Sequence, residues 1–250
     1  MFRTWAILGL PAILLVAAPL AAQQPKAVHY RYPSQTPLGQ VGAERLRQGG
    51  PVVGYYQPVA FSSQSPITIS LANDGTWTDG TVGKVHAALQ LGQPYRLKLT
   101  NLPLHTGREC YPTIEVVDRT YPPGGMEFRF PIPVVFNDDD IRLAMDGMFV
   151  TRVIYVEDPQ LAIPGGQQPG EQLWHDAGAA ANPLEIADQL GRPVAIIRMG
   201  GRLPDERHGP DYAFQFGCPK WFQFTPPRVE AVPVPMKPAQ TTMLPNKGTK

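Results

Sequence analysis

The stretch "NDDDIRLAMDG" (residues 137–147) carries the chain's only run of three acids, Asp138, Asp139 and Asp140. Three adjacent carboxylates could hold a metal or catalyse hydrolysis. A calcium loop, however, needs oxygens at alternating positions, a glycine at the turn and a distal bidentate acid. Here the acids are contiguous and lead straight into Ile141, Ala144, Met145 and Met148, the i, i+3, i+4, i+7 stripe of an amphipathic helix. Asn137 suits the N-cap, the acids would sit at the positive end of the helix dipole, and Gly147 stands where a left-handed cap belongs. The spacing predicts a helix over residues 138–146, and the acids are its opening turn.

A second acidic segment, "NDGTWTDG" (residues 73–80), offers different chemistry. Asp74 and Asp79, with Asn73, could hold a cation, and Trp77 could lay its apolar face on a sugar. The competing reading is a turn with Asx hydrogen bonds and a tryptophan folded back over the strands. Trp77, Asp74 and Asp79 are the best candidates for a ligand contact that the sequence offers.

His105, Cys110, His208 and Cys218 combine ligand types that suit zinc or copper, but without the close C-x-x-C spacing of structural zinc. Cys110 and Cys218 are the only cysteines, and in an oxidising compartment they could form one disulfide instead. A bridge closing about 100 residues is worth on the order of 4–5 kcal/mol on chain-entropy grounds. The two uses exclude each other, because a bridge removes the thiolates.

Catalytic signatures are missing. There is no G-x-S-x-G elbow, no S-x-x-K pair and no glycine-rich phosphate cradle, and nothing implies a cofactor. Glu115 and Asp118 lie three apart on one expected strand, so alternation sends them to opposite faces. The basic segment Arg198, Arg202, Arg207 and His208 reads as a loop after a strand rather than an anion site.

The elements around these residues are mostly strands. Residues 1–22 combine an early Arg3 with an apolar run and small residues before a polar segment, which predicts a cleaved export signal with no spanning helix left in the mature chain. Without Arg3 the 22 basic residues become 21, equal to the 21 acids, so no net field draws in nucleic acid. The chain holds 29 prolines and 24 glycines; proline is at about twice its usual share, and the ordered core is correspondingly small. Residues 23–50 read as a flexible linker and 225–250 as a proline-rich disordered tail.

Between them, residues 51–158 alternate with period two. Strands are expected over 52–61, 67–71, 85–91, 95–99, 113–118, 128–136 and 149–157. Pro131 and Pro133 place the sixth at an edge or bulge. "FVTRVIYV" is apolar on both faces apart from Thr151 and Arg152, as a central strand is. Residues 159–224 read as a loop, helix and strand extension packed on this core. Asn182 caps its helix, Pro183 opens it, Gly191 closes it, and Val194 begins a strand that runs to Met199. "DYAFQFGC" (residues 211–218) is a further strand candidate, with Tyr212, Phe214 and Phe216 on one face.

The pattern is that of a mainly β, antiparallel β-sandwich with one or two short helices and disordered flanks. In strand texture, and in a short helix between two late strands, residues 51–158 resemble transthyretin-like and immunoglobulin-like sandwiches. That resemblance implies architecture and no activity. The functional expectation is an exported, non-catalytic binding or scaffolding module of the cell envelope or extracellular space. Its partner would be an envelope protein or a glycan. A periplasmic zinc- or copper-handling protein is the alternative, and a secreted hydrolase a third.

Overall fold

Period-two segments become strands here wherever two neighbours can pair and one face can leave water. The computed structural model describes residues 36–103, 105–160, 172, 174–178, 181–205, 207 and 209–227. The described strands are β1 (Tyr56–Ser63), β2 (Thr68–Asn73), β3 (Thr76–Trp77), β4 (Thr81–Val82), β5 (Val85–Gln90), β6 (Pro94–Thr100), β7 (Thr113–Val116), β8 (Ile132–Phe136), β9 (Val150–Glu157), β10 (Gly191–Met199) and β11 (Trp221–Gln223). The described helices are α1 (Gln40–Arg47), α2 (Asp138–Met145) and α3 (Pro183–Leu190), with a 3-10 turn at Glu127–Arg129.

The strands form a sandwich-like pair of sheets. One has the order β11-β5-β1-β8; the other runs β3-β2-β6-β7-β10-β9, with β4 also on β2. All pairings are antiparallel except β1 with β8. Val59, Phe61, Leu89 and Ile132 of the first sheet share one buried cluster with Ile69, Leu97, Ile114 and Ile197 of the second. Phe61 and Phe136 stack with ring centroids 6.3 Å apart. Each such fully buried side chain stabilises the fold by about 1.5–3 kcal/mol. On the other face of the larger sheet, Ile196 and Val117 meet Val41 of α1 and Leu184 of α3 in a second cluster. The fold is thus two sheets with a partial helical layer outside the larger one.

Helix α2 forms as its sequence demands. The Asn137 side chain accepts the Asp140 backbone N–H at 2.6 Å. At the other end Gly147 has φ 86°, its N–H donates to the Ala144 carbonyl, and the Met148 N–H donates to that of Leu143. These paired bonds make a Schellman cap. Asn137→Ala should therefore cost about 0.5–2 kcal/mol, read as a shifted urea midpoint with an unchanged slope. Met148 leaves the expected apolar stripe; it lies beyond the cap and is exposed.

Several expectations need correction. The apolar strand "FVTRVIYV" becomes β9, a terminal strand rather than a central one. Strand β10 takes the inner place between β7 and β9, inside the sheet rather than packed upon it. Residues 40–47 of the expected linker are α1, with Val41 fully buried. The 128–136 strand keeps only Ile132–Phe136; Phe128 and Phe130 are exposed around the 3-10 turn. Pro131 cannot donate to a ladder, which separates the two parts. Strand β8, with an exposed Pro133, does lie at a sheet edge.

Residues 212–217 form turns, with Phe216 at φ 55°, and the late strand is β11 instead. Gly191 has an extended φ of 175° and does not close α3 by a left-handed cap. It starts β10, where a Cβ would stand 2.2 Å from the Val156 carbonyl oxygen. No disulfide forms: Cys110 and Cys218 are both free, Cys110 buried in the core and Cys218 half-buried after the 212–217 turns with its Sγ bonded to Gly75 and Gln215. The export segment, residues 23–35 of the linker and residues 228–250 of the tail lie outside the described residues.

Candidate functional site

A charged residue inside an apolar strand has to find a partner as it leaves water. Arg152 shares a face of β9 with Val150 and Ile154, both of which pack against the sandwich core. Helix α2, which joins β8 to β9, brings Asp140 to meet it. Arg152 donates from Nε to Oδ2 at 2.7 Å and from Nη2 to Oδ1 at 2.5 Å, a bidentate pair. Asp140 is only 1% exposed. Its hydrogen bonds hold the guanidinium above its ordinary pKa, against the opposing effect of burial. The Trp174 ring covers the same guanidinium at 4.9 Å.

This pair stands in the wall of a cavity of about 890 Å³ beside the terminal strands β8 and β9. Residues on both faces of β9 line it, including Ile154 on one and Thr151 and Val153 on the other. The cavity also reaches Leu190 of α3 and the segment carrying Trp174, His175 and Asp176. Gln172 tethers that segment by donating from Nε2 to the Pro133 carbonyl at 3.3 Å. The Thr151 hydroxyl is buried without a hydrogen-bond partner among the described residues. The cleft therefore offers a strand edge unpaired among the described residues, apolar walls, an aromatic ring and one unsatisfied hydroxyl. A buried group left in that state costs about 1–3 kcal/mol, which a ligand's polar atom can recover.

Apart from Asp140, the described residues singled out from sequence lie elsewhere. Asp74 and Asp79 are exposed around β3, and Asp74 occupies a turn at φ 48°. Trp77 folds back onto Tyr111, with centroids 5.5 Å apart, and Lys98 Nζ lies 5.9 Å from its ring centroid. Cys110 is buried in the core, and desolvation pushes its thiol up to about 11, which disfavours the thiolate a metal needs. Cys218 accepts the Gly75 N–H at 3.1 Å and donates to Gln215 Oε1 at 2.9 Å. His208 lies outside the described residues, and no group of three potential metal ligands assembles among those described.

Glu115 and Asp118 also depart from expectation. The Val117 and Asp118 N–H groups both donate to the Val194 carbonyl, a bulge that breaks the alternation. Both carboxylates consequently reach α1, Glu115 at Gly39 and Gly42 and Asp118 at Arg45. Comparison with protein-family models, curated proteins and solved structures finds no match for this chain.

Proposed function

We propose that this protein is an exported, non-catalytic binding module, and that its ligand is an extended polypeptide lying along the free edge of β9. One observation carries this reading: an eight-residue terminal strand, apolar on both faces apart from Thr151, Arg152 and Glu157, borders a cavity of about 890 Å³ with no neighbouring strand on its outer side among the described residues. Unpaired strand edges recruit extended peptides through main-chain hydrogen bonds, while flanking pockets select side chains. Trp174 and the unsatisfied Thr151 hydroxyl would supply that selection. Export rests on the composition of residues 1–22 alone.

The test is selection from a displayed library of random eight-residue peptides, followed by hydrogen exchange on the complex. The expected result is slowed exchange confined to β9 and the 172–178 segment, with binding weakened at least tenfold in Trp174→Ala. No enrichment over an unrelated β-sandwich, or protection only at other strands, would count against the proposal. Export is tested separately by the mass of the mature chain from its native host, expected to begin at Gln23. Retention of Met1 in the fully processed protein would refute it.

A further inference from the structure

On the outer face of the larger sheet, beyond α1, a second cavity of about 390 Å³ lies over three neighbouring strands. Arg96 of β6, Thr113 of β7 and Arg198 of β10, paired across the sheet in one row, line it. Its walls include Leu38, Met148, Phe149 and Met199, and the exposed Arg202 stands at its rim. The volume is that of a small-molecule site rather than a packing defect.

The two floor arginines are in opposite situations. Arg96 is committed: it donates from Nε to the Phe214 carbonyl at 3.1 Å and from Nη1 to the Tyr111 carbonyl at 3.0 Å. Phe214 and Phe216 lie 4.2 and 4.8 Å from its guanidinium. Arg198 is 4% exposed, and neither its Nε nor its Nη2 has a hydrogen-bond partner among the described residues. Those two atoms form the side-on edge of the guanidinium, the same edge with which Arg152 grips both oxygens of Asp140. A carboxylate or phosphate fits that edge bidentately.

The acids nearby do not fill it. Glu115 acts on Arg198 through its charge, but its two oxygens accept the Gly39 and Gly42 N–H groups. Asp211 acts on Arg96 and accepts the Phe214 and Asp205 N–H groups. Among the described residues, three arginines thus face two acids whose oxygens already accept backbone N–H groups. Burial accordingly lowers the affinity of both Arg96 and Arg198 for their protons, with Arg96 brought to about 10. A buried cation without direct hydrogen bonds from Nε and Nη2 is costly even with the charge of Glu115 acting on it, and an anion in the cavity lowers that cost.

We propose that this cavity binds a small organic oxyanion, a carboxylate or phosphate group on an apolar body, gripped by the Arg198 guanidinium, whose Nε and Nη2 are closed to water here and meet the ligand's two oxygens once the side chain turns toward the cavity. Arg202 adds charge at the entrance, and Met148 and Phe149 cover the apolar part. The site shares Phe149 and Met199 with the β9 cleft, but its arginines lie outside that cleft and it does not depend on the function proposed there.

Calorimetric titration of the mature chain with acetate, benzoate and inorganic phosphate, at ionic strength matched with chloride, tests the proposal. We expect saturable binding of benzoate, tighter than acetate, weakened at least tenfold by Arg198→Met and severalfold by Arg202→Gln. In anion-free buffer Arg198→Met should melt at or above the wild-type temperature, because it removes an unpaired buried charge. No saturable binding of any of the three anions, or equal binding by Arg198→Met, would overturn the site. An Arg198→Met protein that melts far below wild type without anion would do so too, since it marks the arginine as structural.

Discussion

Asp140→Ala should lower stability by about 3 kcal/mol, the low end of the range for breaking a buried ion pair from one side. The low end applies because the Arg152 side chain keeps 31% of its exposure, so water partly screens the charge left behind. The acid does two jobs in one position. Its backbone N–H completes the Asn137 cap, while its carboxylate fixes the one charged side chain on the inner face of β9. Substitution at Asp140 leaves the first job intact, since the backbone N–H survives. The loss therefore reports the ion pair, not the helix cap.

A second variant separates the pair from simple packing. Asp140→Ala combined with Arg152→Met should recover most of the lost stability, because an apolar replacement for a buried pair is often close to neutral. Urea midpoints at constant slope would measure both. A double variant as unstable as the single one would mean that Asp140 acts through α2 alone. Asp138 differs from Asp140, since it accepts the Ser65 hydroxyl at 2.5 Å and ties α2 to the end of β1.

The strands were legible because period two is a local property, carried by residues such as Ile69, Leu71, Leu97 and Leu99 within a few positions of one another. The same holds for α2 and α3, whose caps at Asn137 and Asn182 lie at the helix ends they satisfy. Position within a sheet is not local. The apolar faces of β9 suggested two flanking strands, but one face is covered by α3 and the other borders the sandwich core and the cleft. Arg152 and Thr151 were the visible irregularity in that strand, and they mark the cleft. The partner of Arg152 lies 12 residues back across a helix, a distance no motif encodes. The Arg198 pocket was harder still, since its evidence is a missing hydrogen bond and not a residue pattern.

Helix α1 shows the same limit most clearly, and it yields the second large effect. The helix has eight residues, a Gly39 N-cap with no side-chain hydrogen bond, and no acid in its first turn. On local grounds it is too short and too poorly capped to form alone. Glu115, 73 residues away from Gly42 on β7, supplies the cap: its oxygens accept the Gly39 N–H at 2.9 Å and the Gly42 N–H at 2.6 Å. A carboxylate at a helix N-terminus is favoured by the dipole as well as by the bonds. Burial nevertheless raises the carboxyl above its ordinary pKa, and these N–H groups pull it partly back.

Glu115→Ala should therefore cost about 3 kcal/mol, the scale of two hydrogen bonds to a charged group, and should release α1 before the sheets unfold. Glu115→Gln, which keeps one carbonyl oxygen, should lose about half as much. Trypsin provides the local readout, because Arg45 and Arg47 lie within α1. Cleavage there should accelerate in Glu115→Ala at denaturant concentrations where the sheets stay folded. Slow cleavage beside a lowered midpoint would mean that α1 is held by the Arg45–Asp118 bridge at 3.1 Å and by buried Val41. In that case the cost of losing Glu115 would fall on the sheet, where Arg198 would be left without its nearest acid.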